Sequence, residues 1–255
     1  MAGRFFWYEL NTTDLEKSAS FFAGLFDCDL LQSEDDDATF YVAPKGTESP
    51  LFRILPIKAE EGTRSHWIGF LSIEGLDQAI TQTQEAGGEL HLISDDEEDR
   101  QPGDARFAVL TDPQGAVVNF HEDVPGLPDA GDGLPEVGRL AWVELLTTDR
   151  EAAAAFYRDL VGWEVGPEHA RGEEGMAHAL FRDGRVFGIL RDLPQGSPVP
   201  PHWVFYLRVD DLDRAVAHAR ALGGFLYEDA AEVDGGRRVL MLDPTGAPVA
   251  LWAPR

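Results

Sequence analysis

The sequence predicts an α+β fold: tandem paired βαβββ modules forming two curved, incompletely closed barrels. Three observations predict it. First, the chain nearly repeats itself, with Trp7, Glu9, Thr13-Asp14 and Phe21-Phe22 returning 135 positions later as Trp142, Glu144, Thr148-Asp149 and Phe156-Tyr157. Second, within each half a two-residue apolar alternation gives way to helical spacing and then to alternation again. Third, Asp112-Pro113-Gln114-Gly115-Ala116 returns 131 positions later as Asp243-Pro244-Thr245-Gly246-Ala247. A register that drifts by so few residues over this length marks duplicated domains.

The first module opens with a strand over Phe5 to Asn11, where Trp7 and Glu9 share a face. Asp14 caps a helix in which Leu15, Ala19, Phe22 and Phe26 recur at near-helical spacing. Strands follow at Leu30 to Ser33, Thr39 to Ala43 and Leu51 to Ile54. The second module repeats that order: a strand at Trp67 to Ile73, a helix over Leu76 to Ala86 stopped by Gly87-Gly88, then strands at Glu89 to Ile93, Phe107 to Leu110 and Val117 to His121. The third has a strand at Leu140 to Leu146, a helix over Glu151 to Leu160, and strands at Trp163 to Gly166, Ala177 to Phe181 and Val186 to Leu190. The fourth has Trp203 to Val209, a helix over Leu212 to Leu222 ended by Gly223-Gly224, and strands at Phe225 to Glu228, Arg238 to Leu242 and Pro248 to Trp252. The repeated Asp-Pro-x-Gly is a turn between the last two strands, with proline presetting φ and glycine tolerating its positive values. This order divides the chain into domains 1–123 and 138–255, joined by a Pro/Gly/Asp-rich linker at 124–137.

Composition narrows the function. With 21 basic and 46 acidic residues the formal charge is -25, which opposes binding to nucleic acid or to an anionic membrane. The runs Glu34-Asp35-Asp36-Asp37 and Asp95-Asp96-Glu97-Glu98-Asp99 read as solvated loops rather than cation sites, and such a surface would suit a saline cytoplasm. No apolar stretch is long enough to span a bilayer. The lone Cys28 excludes an internal disulfide framework, fits a cytoplasmic location, and has no evident partner for thiol catalysis. The duplication leaves room for a homodimer, or for a pseudo-twofold axis inside one monomer.

Taken together, Thr13-Asp14 with Phe21-Phe22, Thr148-Asp149 with Phe156-Tyr157, Leu160 with Gly162-Trp163, Val209 to Leu212, Ala221 to Gly224 and the two Asp-Pro turns resemble the vicinal oxygen chelate superfamily. That superfamily includes glyoxalase I, extradiol dioxygenases and bleomycin-resistance proteins, and the resemblance extends to its glyoxalase-like branch in actinobacteria. The resemblance implies a small-molecule cavity inside each curved sheet. It also implies places for a metal triad, and at those places this chain has Trp7, Ile68 and Asn119 in the first half and Trp142, Val204 and Ala250 in the second. Indole and aliphatic side chains offer no lone pair to a divalent cation, so no metal cofactor is expected.

Candidate ligand-binding residues are Trp7, Glu9, His66, His121, Trp142, Glu144 and His202. The inward carboxylates must be paired, hydrated or neutralised, and could orient a polar ligand or act as a base. The alternative is a relocated site in which Glu9, His66 and His121 hold Fe, Zn or Mn, each displaced by two residues and so still on the same strand face. The main reading is a small, partly apolar ligand bound without the usual metal. Its rivals are a lyase, isomerase or dioxygenase using that relocated site, and a structural or partner-binding protein. His178 has no partner evident in the sequence, Arg106 and Arg237 or Arg238 read as partners of surface acids, and Gly235-Gly236-Arg237 lacks the spacing of a nucleotide loop.

Overall fold

A computed structural model describes residues 2–33, 38–58, 63–94, 106–122, 134–170, 175–197, 199–233 and 235–255. The two acidic runs, and residues 124–133 of the expected linker, lie outside the described residues. The order read from the sequence is present throughout. The first module comprises β1 (Phe5–Thr12), α1 (Leu15–Phe26), β2 (Cys28–Gln32), β3 (Phe40–Pro44) and β4 (Phe52–Pro56). The second comprises β5 (His66–Ile73), α2 (Leu76–Glu85), β6 (Glu89–Ile93), β7 (Phe107–Thr111) and β8 (Val117–Glu122). The third comprises β9 (Leu140–Thr147), α3 (Arg150–Val161), β10 (Glu164–Ala170), β11 (Met176–Arg182) and β12 (Arg185–Asp192). The fourth comprises β13 (His202–Arg208), α4 (Leu212–Ala221), β14 (Phe225–Val233), β15 (Gly236–Leu242) and β16 (Pro248–Pro254).

Two eight-stranded mixed sheets result, in the orders β2-β3-β4-β1-β5-β8-β7-β6 and β10-β11-β12-β9-β13-β16-β15-β14. Neither closes into a barrel, because β2 and β6, and likewise β10 and β14, remain edge strands. Local chemistry sets the helix starts. Asp14, Asp149 and Asp211 each accept a hydrogen bond from the backbone N–H three residues on, as side-chain caps do. Gly75 precedes α2 and has no side chain to offer, and here Glu122 reaches from β8 to accept from the Leu76 N–H at 2.9 Å.

The compact units of the chain interleave its halves. One contains residues 1–7, 69–130 and 143–203; the other contains 8–68, 131–142 and 204–255. In the second unit, Phe21, Phe22 and Leu25 of α1 share one core with Leu207, Val209, Leu212 and Ala219 of the fourth module. Gly24 lets the helices approach, since a Cβ there would come within 3.0 Å of the Leu222 methyls. The first unit is organised around Trp163, whose ring stacks on Tyr157 and meets Trp203 edge-on, while its indole N–H donates to the Gly3 carbonyl at 2.6 Å. The helix-facing stripes of modules one and four thus seal one core, and modules two and three contribute the elements of the other.

Candidate functional site

Alternation along β8 decides which side chains leave the core of the first unit. Val118 and Phe120 are buried in it, so Asn119 and His121 take the opposite face. Ala108 and Leu110 do the same for β7, leaving Phe107 and Val109 beside them. Register then builds a wall, because Asn119 lies between Phe70 and Val109, and His121 between Ser72 and Phe107. The His121 imidazole stacks between Phe70, at a centroid distance of 4.8 Å, and Phe107, at 5.2 Å. Phe6 meets its edge at 5.4 Å. Phe6, Phe107, Val109 and His121 are only half-buried, so the aromatic face is not sealed. Asn119 is 5% exposed, and its Oδ1 has no hydrogen-bond partner among the described residues.

The other half of each sheet offers charge instead. Glu9 on β1 is held by the Arg53 guanidinium of the neighbouring β4 at 2.6 Å, its direct register partner. Glu144 on β9 is held by Arg191 of β12, and there both groups are buried. The two arginines are not at equivalent positions. The bonds from Ile57 N–H to the Thr12 carbonyl and from Leu193 N–H to the Thr147 carbonyl align residue 57 with 193, and so Arg191 with Leu55. The guanidinium has moved two residues along the strand, which preserves its face. Sequence reasoning named both glutamates and missed both arginines.

The remaining candidates are dispersed. His66 is exposed, His202 is half-buried, and each ring Nδ1 lies on a local carbonyl, of Arg64 at 2.9 Å and Pro200 at 2.8 Å. These are matched strand-start contacts. Trp7 and Trp142 are half-buried. His178 does have partners, its two ring nitrogens lying 2.8 Å from the Gly166 carbonyl and from Glu151. That imidazole holds the Glu151 carboxyl below the usual range. Arg106 pairs with Asp77 and Glu122, and Arg237 with Asp213, as expected. Arg238 differs, being buried and paired with Glu228. Among the described residues no group of three or more His, Cys, Asp or Glu side chains could hold a metal ion. No helix among them is long and apolar enough to cross a membrane.

A glyoxalase-like domain model matches residues 142–252. The anthracycline biosynthesis protein DauV of Streptomyces sp. (strain C5) is 29% identical, over 94% of this chain and 90% of its own. The putative glyoxylase CFP32 of Mycobacterium tuberculosis (strain CDC 1551 / Oshkosh) is 28% identical, over 97% of this chain and 94% of its own. In fold, the chain is similar to 2,2',3-trihydroxybiphenyl 1,2-dioxygenase from Sphingomonas wittichii RW1, with a TM-score of 0.67 at 16% identity over 99% of this chain and 91% of that one. It is also similar to the Mn(II)-bound glyoxalase from Novosphingobium aromaticivorans, with a TM-score of 0.63 at 13% identity over 99% and 82%. Residues 142–252 thus form a glyoxalase-like domain, and over nearly its whole length the chain shares the fold of these two structures.

The resemblance noted in the sequence implies places for a metal, and the residues there can be compared with that expectation. The donor set does not fit one. Of the six implied positions, only Asn119 carries an oxygen donor, and its neighbours Phe70 and Val109 carry none. An ion held by a single neutral amide oxygen lacks the converging ligands that make a stable site.

Proposed function

We propose that this glyoxalase-like protein binds a small, flat, partly apolar molecule against the Phe6, Phe70, Phe107 and His121 wall, without the usual divalent metal. The carrying observation is the Asn119 Oδ1, a buried acceptor that no donor among the described residues meets, flanked in register by Phe70 and Val109. Such an atom is costly when left bare, and a ligand hydroxyl or N–H removes that cost. The half-buried rings supply the stacking surface, and π-faces tolerate many flat partners. The relatives point the same way in outline, one being named for anthracycline biosynthesis and another as a glyoxylase.

A matched pair of probes tests this. In fluorescence or calorimetric titration, 1-naphthol should bind saturably and more tightly than 1-methoxynaphthalene by roughly threefold to tenfold, the worth of one hydrogen bond. Asn119→Val should abolish that difference and leave the methoxy compound unaffected. Neither EDTA nor added Fe(II), Zn or Mn should change the affinity. Equal binding of the two probes to the unmodified protein, or a requirement for metal, would refute the reading.

A further inference from the structure

The duplication places a second set of side chains at the matching positions of the fourth module, and their chemistry is different. Val249 and Leu251 of β16 lie in the core of the second unit, so Ala250 and Trp252 take the other face. Register sets Tyr206 beside Ala250 and Arg238 beside Trp252. By the repeat, Trp252 stands where the second module has His121, Ala250 where it has Asn119, Arg238 where it has Phe107 and Tyr206 where it has Phe70. The Arg238 guanidinium lies 5.8 Å from the Tyr206 ring centroid and donates to Glu228 at 3.1 Å. Trp252 is 9% exposed, and its Nε1 has no hydrogen-bond partner among the described residues. The Asn119 atom of the second module is an acceptor, whereas the Trp252 atom of the fourth is a donor.

We propose that the fourth module carries a separate binding site for a flat, neutral molecule bearing a carbonyl group, which accepts a hydrogen bond from the Trp252 indole. Indole Nε1–H can only donate, so the missing partner must be an acceptor. Two arginines flank Trp252 in register, Arg208 and Arg238, and a neutral acceptor fits better than an anion because Asp210 pairs the first, Glu228 the second, and the chain as a whole is at -25. Of this cluster the Trp252 indole keeps the most exposure, at 9%, and offers a planar face for stacking, while Tyr206 and Arg238 pack on each other behind it. The indole is also seated deliberately. A Cβ on Gly236 would lie 2.9 Å from Trp252 Cε2 and 2.1 Å from the Ala253 carbonyl oxygen. Gly235 adopts a φ of +78° beside the same ring. The Gly235-Gly236-Arg237 segment, which fits no nucleotide loop, thus has a packing role beneath Trp252.

The site stands independently of the Asn119 wall, and its test uses a different probe and variant. The probes are 9-fluorenone and fluorene, equally flat and differing by the carbonyl. In ¹H–¹⁵N spectra of the full chain, with the Trp252 indole assigned by through-bond experiments, fluorenone should move that resonance downfield saturably. Fluorene should bind at least fivefold more weakly and produce no such downfield shift. Trp252→Phe should remove the preference for fluorenone, whereas Asn119→Val should leave it intact. An unmoved Trp252 resonance in the unmodified protein overturns the proposal whether or not the variant folds. So does equal affinity for the two probes, or loss of fluorenone binding on Asn119→Val with none on Trp252→Phe.

Discussion

Replacing Arg191 with alanine should destabilise the protein far more than replacing Arg53, although both substitutions take a guanidinium from a strand glutamate. Glu144 is 1% exposed and Arg191 8%. Removing one partner of so buried a pair strands a charge in low dielectric and costs ~3–5 kcal/mol. In the first module the side chains of Arg53 and Glu9 are 32% and 10% exposed, so water can take over part of the solvation. That pair belongs nearer the exposed range, about 1 kcal/mol. For a chain of this length each kcal/mol moves the thermal midpoint by about 2–4 °C. Arg191→Ala should therefore lower it by roughly 6–20 °C and Arg53→Ala by roughly 2–4 °C. Circular dichroism melts at matched scan rate measure both. A combined Glu144→Leu and Arg191→Met variant removes both charges while keeping volume, and should recover most of the loss. Equal losses for the two arginines, or a double variant no better than Arg191→Ala, would show that burial of the charge is not what sets the cost.

Two further outcomes follow from perturbed groups. Burial pushes the Asp112 carboxyl above the usual carboxylate range, against the lowering effect of its hydrogen bonds from Ala116, Tyr157 and Gln114. A raised folded value means the stabilising contribution is fully present below the unfolded pKa and is lost as pH rises through the folded one. Unfolding free energies at pH 4 to 7 should therefore shift progressively in favour of Asp112→Asn over the parent; a flat difference, or one moving the other way, would contradict the assignment. At Cys28, burial and then the charges of Asp27 and Asp29 push the thiol up to about 11. Alkylation by iodoacetamide at pH 7.5 should be much slower than for a free thiol and should accelerate steadily towards pH 10. Rapid modification at neutral pH would mean that a thiolate is already present.

The elements were legible because each rests on local signals. Asp14 caps its helix as the sequence leads one to expect, Asp149 and Asp211 do the same in the third and fourth modules, and Gly87-Gly88 and Gly223-Gly224 follow the ends of α2 and α4. What could not be read was which helix face meets which. The stripe Phe21, Phe22 and Leu25 is equally apolar whether it packs on its own half or, as found, with Leu207, Val209 and Leu212. The partners of Glu9 and Glu144 were hidden for a related reason. Searching for a repeated residue at a repeated offset fails when the guanidinium moves from residue 53 to the equivalent of residue 55. An arginine interrupting an otherwise apolar alternation, as in Phe52-Arg53-Ile54, was the available signal. Phe6, Phe70 and Phe107 gave none, since an aromatic residue on a strand fits a core as well as an open wall.

The two Asp-Pro turns show how such drift can leave architecture intact. Asp112 Oδ1 accepts the N–H groups of Gln114 and Ala116, and Asp243 Oδ1 those of Thr245 and Ala247, so each aspartate closes its own turn. The second oxygen reaches a different module. Within one unit, Asp243 Oδ2 accepts from Ser18 of α1 at 2.6 Å; within the other, Asp112 Oδ2 accepts from Tyr157 of α3 at 3.0 Å. The repeat aligns Ser18 with Ala153, so Tyr157 lies four residues, one helical turn, beyond the equivalent place. A longer side chain from the next turn delivers a hydroxyl to the same carboxylate. In the second unit, Thr245 donates to Asp243 at 2.6 Å, and Thr12, Ser18, Ser65 and Thr245 are joined by further hydroxyl contacts. In the first, the Trp203 indole donates to the Tyr157 oxygen at 3.2 Å. A buried carboxylate needs its donors wherever the chain can supply them. That requirement explains why the aspartate is repeated in both copies while the residue that meets it is not.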